Sequence, residues 1–269
     1  MTAALLAEAL APLRANSARA AILFDIDGTL SPIVDNAADA HVPEGTRQLL
    51  IRVARRYGVV ACVSGRRASD ARAMVSIGSI AYLGSHGAEM LRPGWTEPVL
   101  DPEVEDWVRR IHDFGHEADT SDLRRRRVRL EDKGPIIAFH WRGAPDEEAA
   151  RAAIDVIASR AQATGLRTHW GRKVLEVRPP VRIDKGAGIE AFLAEVDVDR
   201  ALYAGDDATD LDAFRALAEL VENGRLKTAV RVGVSSEEGP SAITSEADIV
   251  VDGTGGVQEL LATLASDDD

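Results

Sequence analysis

Two carboxylates, Asp25 and Asp27, stand one residue apart at the end of an apolar run over residues 21–24 and just before Gly28. A short apolar run that ends in glycine is typical of a buried parallel strand that stops at a turn. Because side chains alternate along a strand, both carboxylates should leave it in the same direction. Carboxylates held this close repel each other unless a cation or a proton lies between them. An isolated Asp-x-Asp would favour a solvated turn, but the run Asp-x-Asp-Gly-Thr-Leu is more specific and predicts a reactive site.

Further polar clusters follow other apolar runs or begin helical patterns. They are Ser64-Gly65-Arg66, His86-Gly87, Lys185, and Asp206-Asp207 with Asp210. Together these residue types suit phosphoryl transfer, because one carboxylate can attack phosphorus while a second moves a proton. Mg²⁺ suits a few carboxylates plus a substrate phosphate, and a hydroxyl and a lysine can bind the phosphoryl oxygens.

The elements that must position these clusters alternate between strands and helices. Strands are predicted over residues 21–24, 59–63, 80–84, 201–205, 228–234 and 248–251, with helical patterns between most of them. This alternation predicts a doubly wound, mainly parallel α/β sheet. Such sheets bind ligands at the carboxyl ends of their strands, where the polar clusters fall.

The pattern changes after Pro93-Gly94. A helix over 102–118, two strands, a helix over 147–163 and two more strands, over 166–170 and 174–178, predict a small α+β module. We therefore expect a core formed by residues 1–101 and 182–269, with an inserted cap at 102–181. The basic run from Arg124 to Arg127 favours a solvated face or loop over a phosphate site.

Composition limits the classes of function. The chain has 269 residues and a net charge of -12, which argues against nucleic acid as the main partner. Its one cysteine, Cys62, fits a reducing compartment and is interpreted as a buried core residue. The first twenty residues favour an amphipathic helix over a signal peptide, and no apolar run is long enough for a membrane span. We expect a soluble, cytoplasmic protein with a solvated acidic tail at 267–269.

The strand-end clusters resemble a known set of motifs. Asp25-Ile26-Asp27-Gly28-Thr29-Leu30, Ser64-Gly65-Arg66, Lys185 and Gly205-Asp206-Asp207-x-x-Asp210 are similar, in order, to the four motifs of haloacid dehalogenase-like phosphatases. The resemblance implies a Rossmann-like core in which Asp25 is the nucleophile, Asp27 is the general acid and base, and Ser64 and Lys185 bind the phosphoryl group. It also implies Mg²⁺ held by Asp25, the main-chain carbonyl of Asp27, and Asp206, with Asp207 and Asp210 in support.

A narrower resemblance involves the inserted module. Gly84-x-His86-Gly87-x-Glu89, Glu131-Asp132-Lys133, His140-x-Arg142 and Val174-Leu175-Glu176-Val177-Arg178-Pro179 are similar to segments of the trehalose-6-phosphate phosphatases. The family's cap closes over the sugar, so the module would bind substrate. The substrate-binding residues implied are Gly65, Arg66, His86, Glu131, Lys133, Arg142, Lys173, Glu176 and Arg178. One departure is Leu211-Asp212, where the family usually has Glu-Asp.

The residues alone leave other interpretations open. His86 could be a hydrogen-bonded loop residue, and Glu131, Lys133 and Arg142 could be cross-strand charge pairs on an exposed sheet. The leading hypothesis is Mg²⁺-dependent hydrolysis of trehalose 6-phosphate, a small-molecule sugar phosphate. The alternatives are a phosphatase for sucrose phosphate or a glucosylglycerate phosphate, a phosphosugar mutase, and a phosphosugar-binding module without catalysis. Association with a trehalose-phosphate synthase is left open.

Overall fold

The computed structural model of the chain describes residues 3–34, 40–236 and 239–266. The chain divides into two compact units. The first contains Met1–Val99 and Ile183–Asp269, and the second contains Leu100–Arg182. The role of the second unit as a substrate-binding cap stays a prediction.

The helices and strands follow one another as follows. The first segment contains α1 (Ala3–Arg14), β1 (Ala20–Phe24), α2 (Glu44–Arg56), β2 (Val59–Val63), α3 (Ala68–Val75), β3 (Ala81–Gly84), β4 (Glu89–Leu91) and β5 (Val99–Leu100). The second unit contains α4 (Pro102–Ala118), α5 (Ser121–Arg125), β6 (Arg129–Asp132), β7 (Ile137–His140), α6 (Glu147–Ala163), β8 (Arg167–Gly171) and β9 (Val174–Arg178). The last segment contains α7 (Lys185–Ala194), β10 (Arg200–Gly205), α8 (Asp210–Glu222), β11 (Thr228–Ser235), α9 (Ser241–Glu246), β12 (Ile249–Asp252) and α10 (Gly253–Ala265).

The large sheet has the predicted doubly wound form. Within the described residues its eight strands are ordered β12-β11-β10-β1-β2-β3-β4-β5. The neighbours from β12 to β3 pair in parallel, and β4 runs antiparallel to β3. The chain proceeds outward from β1 through β2 to β3, and outward in the other direction from β10 to β12. The boundary between β1 and β10 is therefore the switch point at which α/β sheets bind ligands.

Strand β1 is buried over its whole length, because helices cover both faces of the sheet. Ile22 and Phe24 belong to one core cluster, together with Leu10 of α1. Leu23 belongs to the cluster on the other side of the sheet. The predicted N-terminal helix is confirmed as α1, and Cys62 is buried in β2 as expected.

Some elements differ from the prediction. Strand β4 and helix α9 were not predicted, because three and six residues are too few to show a clear hydrophobic period. Helix α10 begins at Gly253, four residues before its predicted start at Val257. The predicted acidic tail at 267–269 lies outside the described residues. In the part of the chain that the structure describes, no helix is both long and apolar enough to cross a membrane.

The second unit is a two-layer α+β module. Its sheet, formed within the fully described residues 100–182, has the order β6-β7-β9-β8, and its paired strands are antiparallel. Phe139, Leu175 and Val177 are buried in one cluster with Ile154 of α6. Since side chains alternate along a strand, this buried face leaves the other face of the sheet to polar residues, including Glu131 and Glu176.

Replacing Phe139, which is fully buried at the centre of β7, should destabilise the second unit. We expect Phe139→Ala to lower the free energy of unfolding by about 3–5 kcal/mol, because it removes buried apolar surface and leaves a cavity. Urea denaturation followed by tryptophan fluorescence would measure this, since Trp107, Trp141 and Trp170 all lie in this unit.

The control is Val156→Ala on α6, where the side chain is 60% exposed. This change should stay within about 0.5 kcal/mol of the parent protein. Equal effects of the two substitutions would contradict the assignment of Phe139 to the core.

Candidate active site

The acidic residues meet at the switch point because β1 and β10 are neighbours. Asp25 follows β1 and Asp206 follows β10, and the backbone N–H of Asp25 donates to the carbonyl of Ala204 at 2.8 Å. Both acids are buried. The backbone of Gly28 lies directly against the carboxylate of Asp206, where only glycine fits, because a Cβ would lie 2.1 Å from Oδ2 of Asp206. Glycine also adopts the φ of +88° at this position without strain.

Lys185 links the acids of the two halves of the chain. It is the first residue of α7, whose N-cap Asp184 accepts a hydrogen bond from the backbone N–H of Ala187 at 2.8 Å. Its Nζ donates to Oδ1 of Asp25 and to Oδ1 of Asp210, at 2.6 Å in each case. A buried ammonium beside the positive end of a helix dipole is unfavourable unless anions surround it. Asp25 and Asp210 supply those anions.

Asp210, the first residue of α8, organises the loop after β10. It is completely buried, and its Oδ1 accepts from Lys185 and from the hydroxyl of Tyr203. Its Oδ2 accepts the backbone N–H groups of Asp206 and Asp207 at 2.9 Å each. Asp210 therefore fixes both the ammonium of Lys185 and the backbone that presents Asp206.

Burial dominates the electrostatics of the cluster. It raises the pKa of Asp25 well above its usual range; the charge of Lys185 opposes this rise, and that of Asp210 adds to it. Burial and the charge of Asp210 raise the pKa of Asp206 to about 6. Burial alone would lower the pKa of Lys185, but the charges of Asp210 and Asp25 outweigh burial and raise it.

A divalent cation fits this cluster. Among the described residues, Asp25, Asp206 and Asp210 each offer a carboxylate oxygen within 4.8 Å of the others. If all three carboxylates are ionised, as a bound cation would favour, they and the ammonium of Lys185 carry two net negative charges, which one divalent cation would neutralise. Magnesium prefers such oxygen ligands. The side chains of Asp27 and Asp207 lie outside this group; Asp207 is exposed, and its Oδ1 accepts from the backbone N–H of Ala208 at 2.6 Å.

Asp27 is held by Arg66 rather than by the buried cluster. The guanidinium Nε and Nη2 donate to Oδ2 and Oδ1 of Asp27, each at 2.7 Å. The backbone N–H of Arg66 also donates to the Oγ of buried Ser64, at 3.1 Å. The turn after β2 therefore positions two predicted catalytic residues, Asp27 and Ser64. The sequence assigned Arg66 to substrate, and it did not indicate this bidentate pair.

His86 and Gly65 pack together beside this turn. The backbone N–H of His86 donates to the carbonyl of Ser64 at 3.0 Å, and the residue has a left-handed φ of 58°. Its ring lies so close to Gly65 that a Cβ there would be 2.8 Å from Cε1. These contacts connect the loops after β2 and β3.

The second unit has a charged cluster of its own on the polar face of its sheet. Lys133 Nζ donates to Oε1 of the buried Glu176 at 3.1 Å and lies 3.9 Å from Oε2 of Glu131. Arg178 Nε donates to Oε2 of Glu176 at 3.0 Å. His140 Nε2 lies 2.7 Å from Oε2 of Glu131, and this hydrogen bond lowers the pKa of Glu131. The structure thus brings together four of the residues assigned to substrate: Glu131, Lys133, Glu176 and Arg178.

Two other predicted substrate residues of this unit have different surroundings. Lys173, in the turn between β8 and β9, donates to Oε1 of Glu147 at 2.8 Å. Arg142 is exposed in the loop after β7 and lines a surface pocket with other arginines. The structure does not place either residue in the Glu176 cluster.

Sequence reasoning also missed supporting residues in the first unit. Tyr203 lies inside the apolar strand β10 and is completely buried, yet its hydroxyl donates to Asp210. Thr29 Oγ1 donates to Oδ1 of Asp206 at 3.2 Å. The sequence did offer a signal for Tyr203. A tyrosine in an otherwise apolar, buried strand indicates a nearby polar group, because a buried phenol needs a hydrogen-bond partner.

Comparison with known sequences gives a consistent result. The family model described as Trehalose-phosphatase matches residues 23–252. A trehalose-phosphate phosphatase of Mycobacterium marinum is 32% identical over 214 residues, in an alignment that covers 74% of this chain and 52% of that protein. A probable trehalose-phosphate phosphatase D of Arabidopsis thaliana is 29% identical over 219 residues, covering 73% of this chain and 56% of that protein. The chain therefore spans about half the length of the curated relatives it matches.

Solved structures share the fold. The C-terminal domain of the Candida albicans trehalose-6-phosphate phosphatase has a TM-score of 0.71 and 22% identity, with 98% of this chain and 97% of that chain covered. A trehalose-6-phosphate phosphatase related protein has a TM-score of 0.70 and 23% identity, with 91% and 96% covered. At these identities the likeness confirms the predicted α/β fold.

The raised pKa of Asp206 makes the effect of a divalent cation depend on pH. A carboxyl group whose pKa is raised by folding stabilises the metal-free fold at low pH, and this stabilisation is lost as the pH rises from about 4 to about 6. A bound cation relieves that loss. We therefore expect the rise in Tm on adding MgCl₂, relative to EDTA, to be small at pH 5 and to grow up to pH 7.5.

Thermal unfolding of the parent protein and two variants would measure this dependence. Asp206→Asn should remove most of the Mg²⁺-induced shift, whereas Asp155→Asn, on an exposed face of α6, should retain it. An equal shift at pH 5 and pH 7.5 would contradict the assigned electrostatics.

Proposed function

Because the chain belongs to the trehalose-phosphatase family, we propose that it hydrolyses trehalose 6-phosphate to trehalose and inorganic phosphate. The observation that carries the proposal is the buried cluster of Asp25, Lys185, Asp206 and Asp210 at the switch point of the sheet. Buried acids in excess of their counter-charge are costly, and such groups concentrate at functional sites. The names of the curated relatives supply the substrate, and the family's chemistry supplies the reaction class.

In the first proposed step, Asp25 attacks the phosphorus of the substrate. Lys185 engages Oδ1 of Asp25, so the proposal assigns the attack to Oδ2. A bond forms between Oδ2 and phosphorus while the bond from phosphorus to the sugar oxygen breaks. Asp27 gives a proton to the leaving oxygen, which completes trehalose and leaves an acyl phosphate on Asp25.

In the second proposed step, water attacks the phosphorus of the acyl phosphate. Asp27 takes a proton from that water, the bond between Oδ2 and phosphorus breaks, and inorganic phosphate and Asp25 are restored. Arg66, which donates to both oxygens of Asp27, orients the ionised form of this group, which is the proton acceptor of the second step. The hydroxyl of Ser64 and the ammonium of Lys185 are proposed to bind the transferring phosphoryl oxygens.

The cofactor proposed is Mg²⁺. It would be held by Asp25, the main-chain carbonyl of Asp27, and Asp206, with Asp207 and Asp210 in support. When bound, it would offset the negative charge of the phosphoryl oxygens. The fit of a divalent cation to the charge of the acidic cluster supports this assignment.

Recognition of the sugar is proposed for the polar face of the second unit. Glu131, Lys133, Glu176 and Arg178 present carboxylate acceptors and cationic donors within one hydrogen-bonded cluster, as recognition of several hydroxyl groups requires. Gly65, Arg66 and His86 of the first unit, and Arg142 and Lys173 of the second, are further proposed substrate residues. A cytoplasmic location stays a prediction.

The nucleophile is tested by Asp25→Asn. Since an amide cannot form the acyl phosphate, we expect kcat to fall by at least about 10⁴-fold. Release of inorganic phosphate from trehalose 6-phosphate measures the rate, and circular dichroism checks that the fold is retained. The matched control is Asp155→Asn on an exposed face of α6, which should keep the parent rate. Substantial phosphate release by Asp25→Asn would remove Asp25 from its role.

The substrate is tested with a panel of sugar phosphates. We expect kcat/KM for trehalose 6-phosphate to exceed that for sucrose phosphate or a glucosylglycerate phosphate by about 10²-fold or more, because unpaired polar groups reject a wrong sugar. Equal rates on all of these sugar phosphates would contradict specificity for trehalose 6-phosphate and would indicate a less selective phosphatase. Binding without any Mg²⁺-dependent turnover would favour a module that only binds phosphosugars.

A further inference from the structure

The basic run of the second unit divides into two groups in the structure. Arg125 and Arg126 pair with Asp122, at 3.5 Å and 2.7 Å, on an exposed turn of α5. Arg124 and Arg127 instead line a pocket of about 430 Å³, together with Arg129 of β6 and Arg142 of the loop after β7. Arg124, Arg125 and Arg127 are exposed and Arg126 is half-buried, so the run is solvated as expected, and two of its members also line this surface pocket.

Arg127 occupies a backbone position that normally belongs to glycine. Its φ is +57°, its N–H donates to the carbonyl of Arg124 at 3.0 Å, and the N–H of Val128 donates to the carbonyl of Leu123 at 3.0 Å. These two bonds and the buried contact of Val128 with Leu123 form a Schellman motif at the end of α5. Glycine would adopt this conformation without steric cost. An arginine at a position that glycine would occupy without steric cost indicates that the side chain of Arg127 has a function.

The charge around the pocket is one-sided. Four exposed arginines are among its lining residues, and in the fully described second unit no carboxylate is. Arg124 has an acidic neighbour outside the lining, Asp119, at 3.5 Å. The chain as a whole carries a net charge of -12, so this concentration of positive charge runs against its composition. Because these side chains are exposed, solvent screens their mutual repulsion, and their combined positive charge would still attract an anion to the pocket.

We propose that this pocket binds a polyphosphate chain, such as that of a nucleoside diphosphate or of inorganic tripolyphosphate. Guanidinium groups bind phosphate through paired N–H donors, and they are only weakly hydrated. Four positive charges exceed what a phosphate monoester dianion would neutralise, but they suit an anion of two or three linked phosphates. Arg142 is the one member that the family resemblance already assigns to substrate; Arg124, Arg127 and Arg129 have no assigned role.

Calorimetric titration with tripolyphosphate, diphosphate and ADP in the presence of EDTA tests the site. We expect saturable binding of one tripolyphosphate per chain, and we expect Arg127→Gly and Arg129→Gln each to weaken it at least about tenfold, as loss of charge-assisted hydrogen bonds requires. Arg127→Gly should not lower Tm, because glycine suits the left-handed position. A preference for ADP over diphosphate would identify a nucleotide, and equal affinity would identify the phosphate chain alone.

The matched control is Arg125→Ala, which removes one positive charge from the end of α5, outside the pocket. It should change the affinity by less than about twofold. Absence of saturable binding, an affinity unchanged in both pocket variants, or an equal loss in the Arg125 control would overturn the proposal. Tighter binding of a short oligonucleotide, lost in the same variants, would assign the pocket to nucleic acid instead.

Discussion

The candidate site of the first unit depends on the burial of excess negative charge at the junction of β1 and β10. Asp25 and Asp210 flank the ammonium of Lys185 at 2.6 Å on each side, and Asp206 adds a third carboxylate nearby. Asp25 comes from one motif, Lys185 from a second, and Asp206 and Asp210 from a third, so the doubly wound topology is what brings them together. The sheet holds these groups rigidly, and their negative charge is what the proposed cation would offset.

The predictable parts of the structure are those that local sequence patterns specify. A continuous apolar run identified β2 to the residue, and amphipathic periodicity identified α4 and α6, because both signals depend on neighbours along the chain. The acidic motifs were placed at strand ends for the same reason. Their partners were harder to identify: Asp27 pairs with Arg66 across 39 positions, and no local pattern encodes such a contact.

Tyr203 also shows that a local sequence pattern predicts burial but not the partner of a buried polar group. Its place in an apolar strand predicted burial correctly, but burial alone does not reveal that its hydroxyl supports Asp210. Lys185 was partly predictable, because a lysine at the start of a helix conflicts with the helix dipole and so indicates an anion. That the anions are two carboxylates 160 positions before it and 25 positions after it follows only from the fold.

Cys62, the chain's one cysteine, lies in β2 next to β1 and is completely buried. Burial, reinforced by the charge of Asp25, raises the pKa of its thiol far above its usual range, so the reactive thiolate is scarce in the native protein. Alkylating reagents must therefore await an opening of the central sheet. The rate at which the Cys62 thiol is alkylated would therefore report how often the central sheet opens.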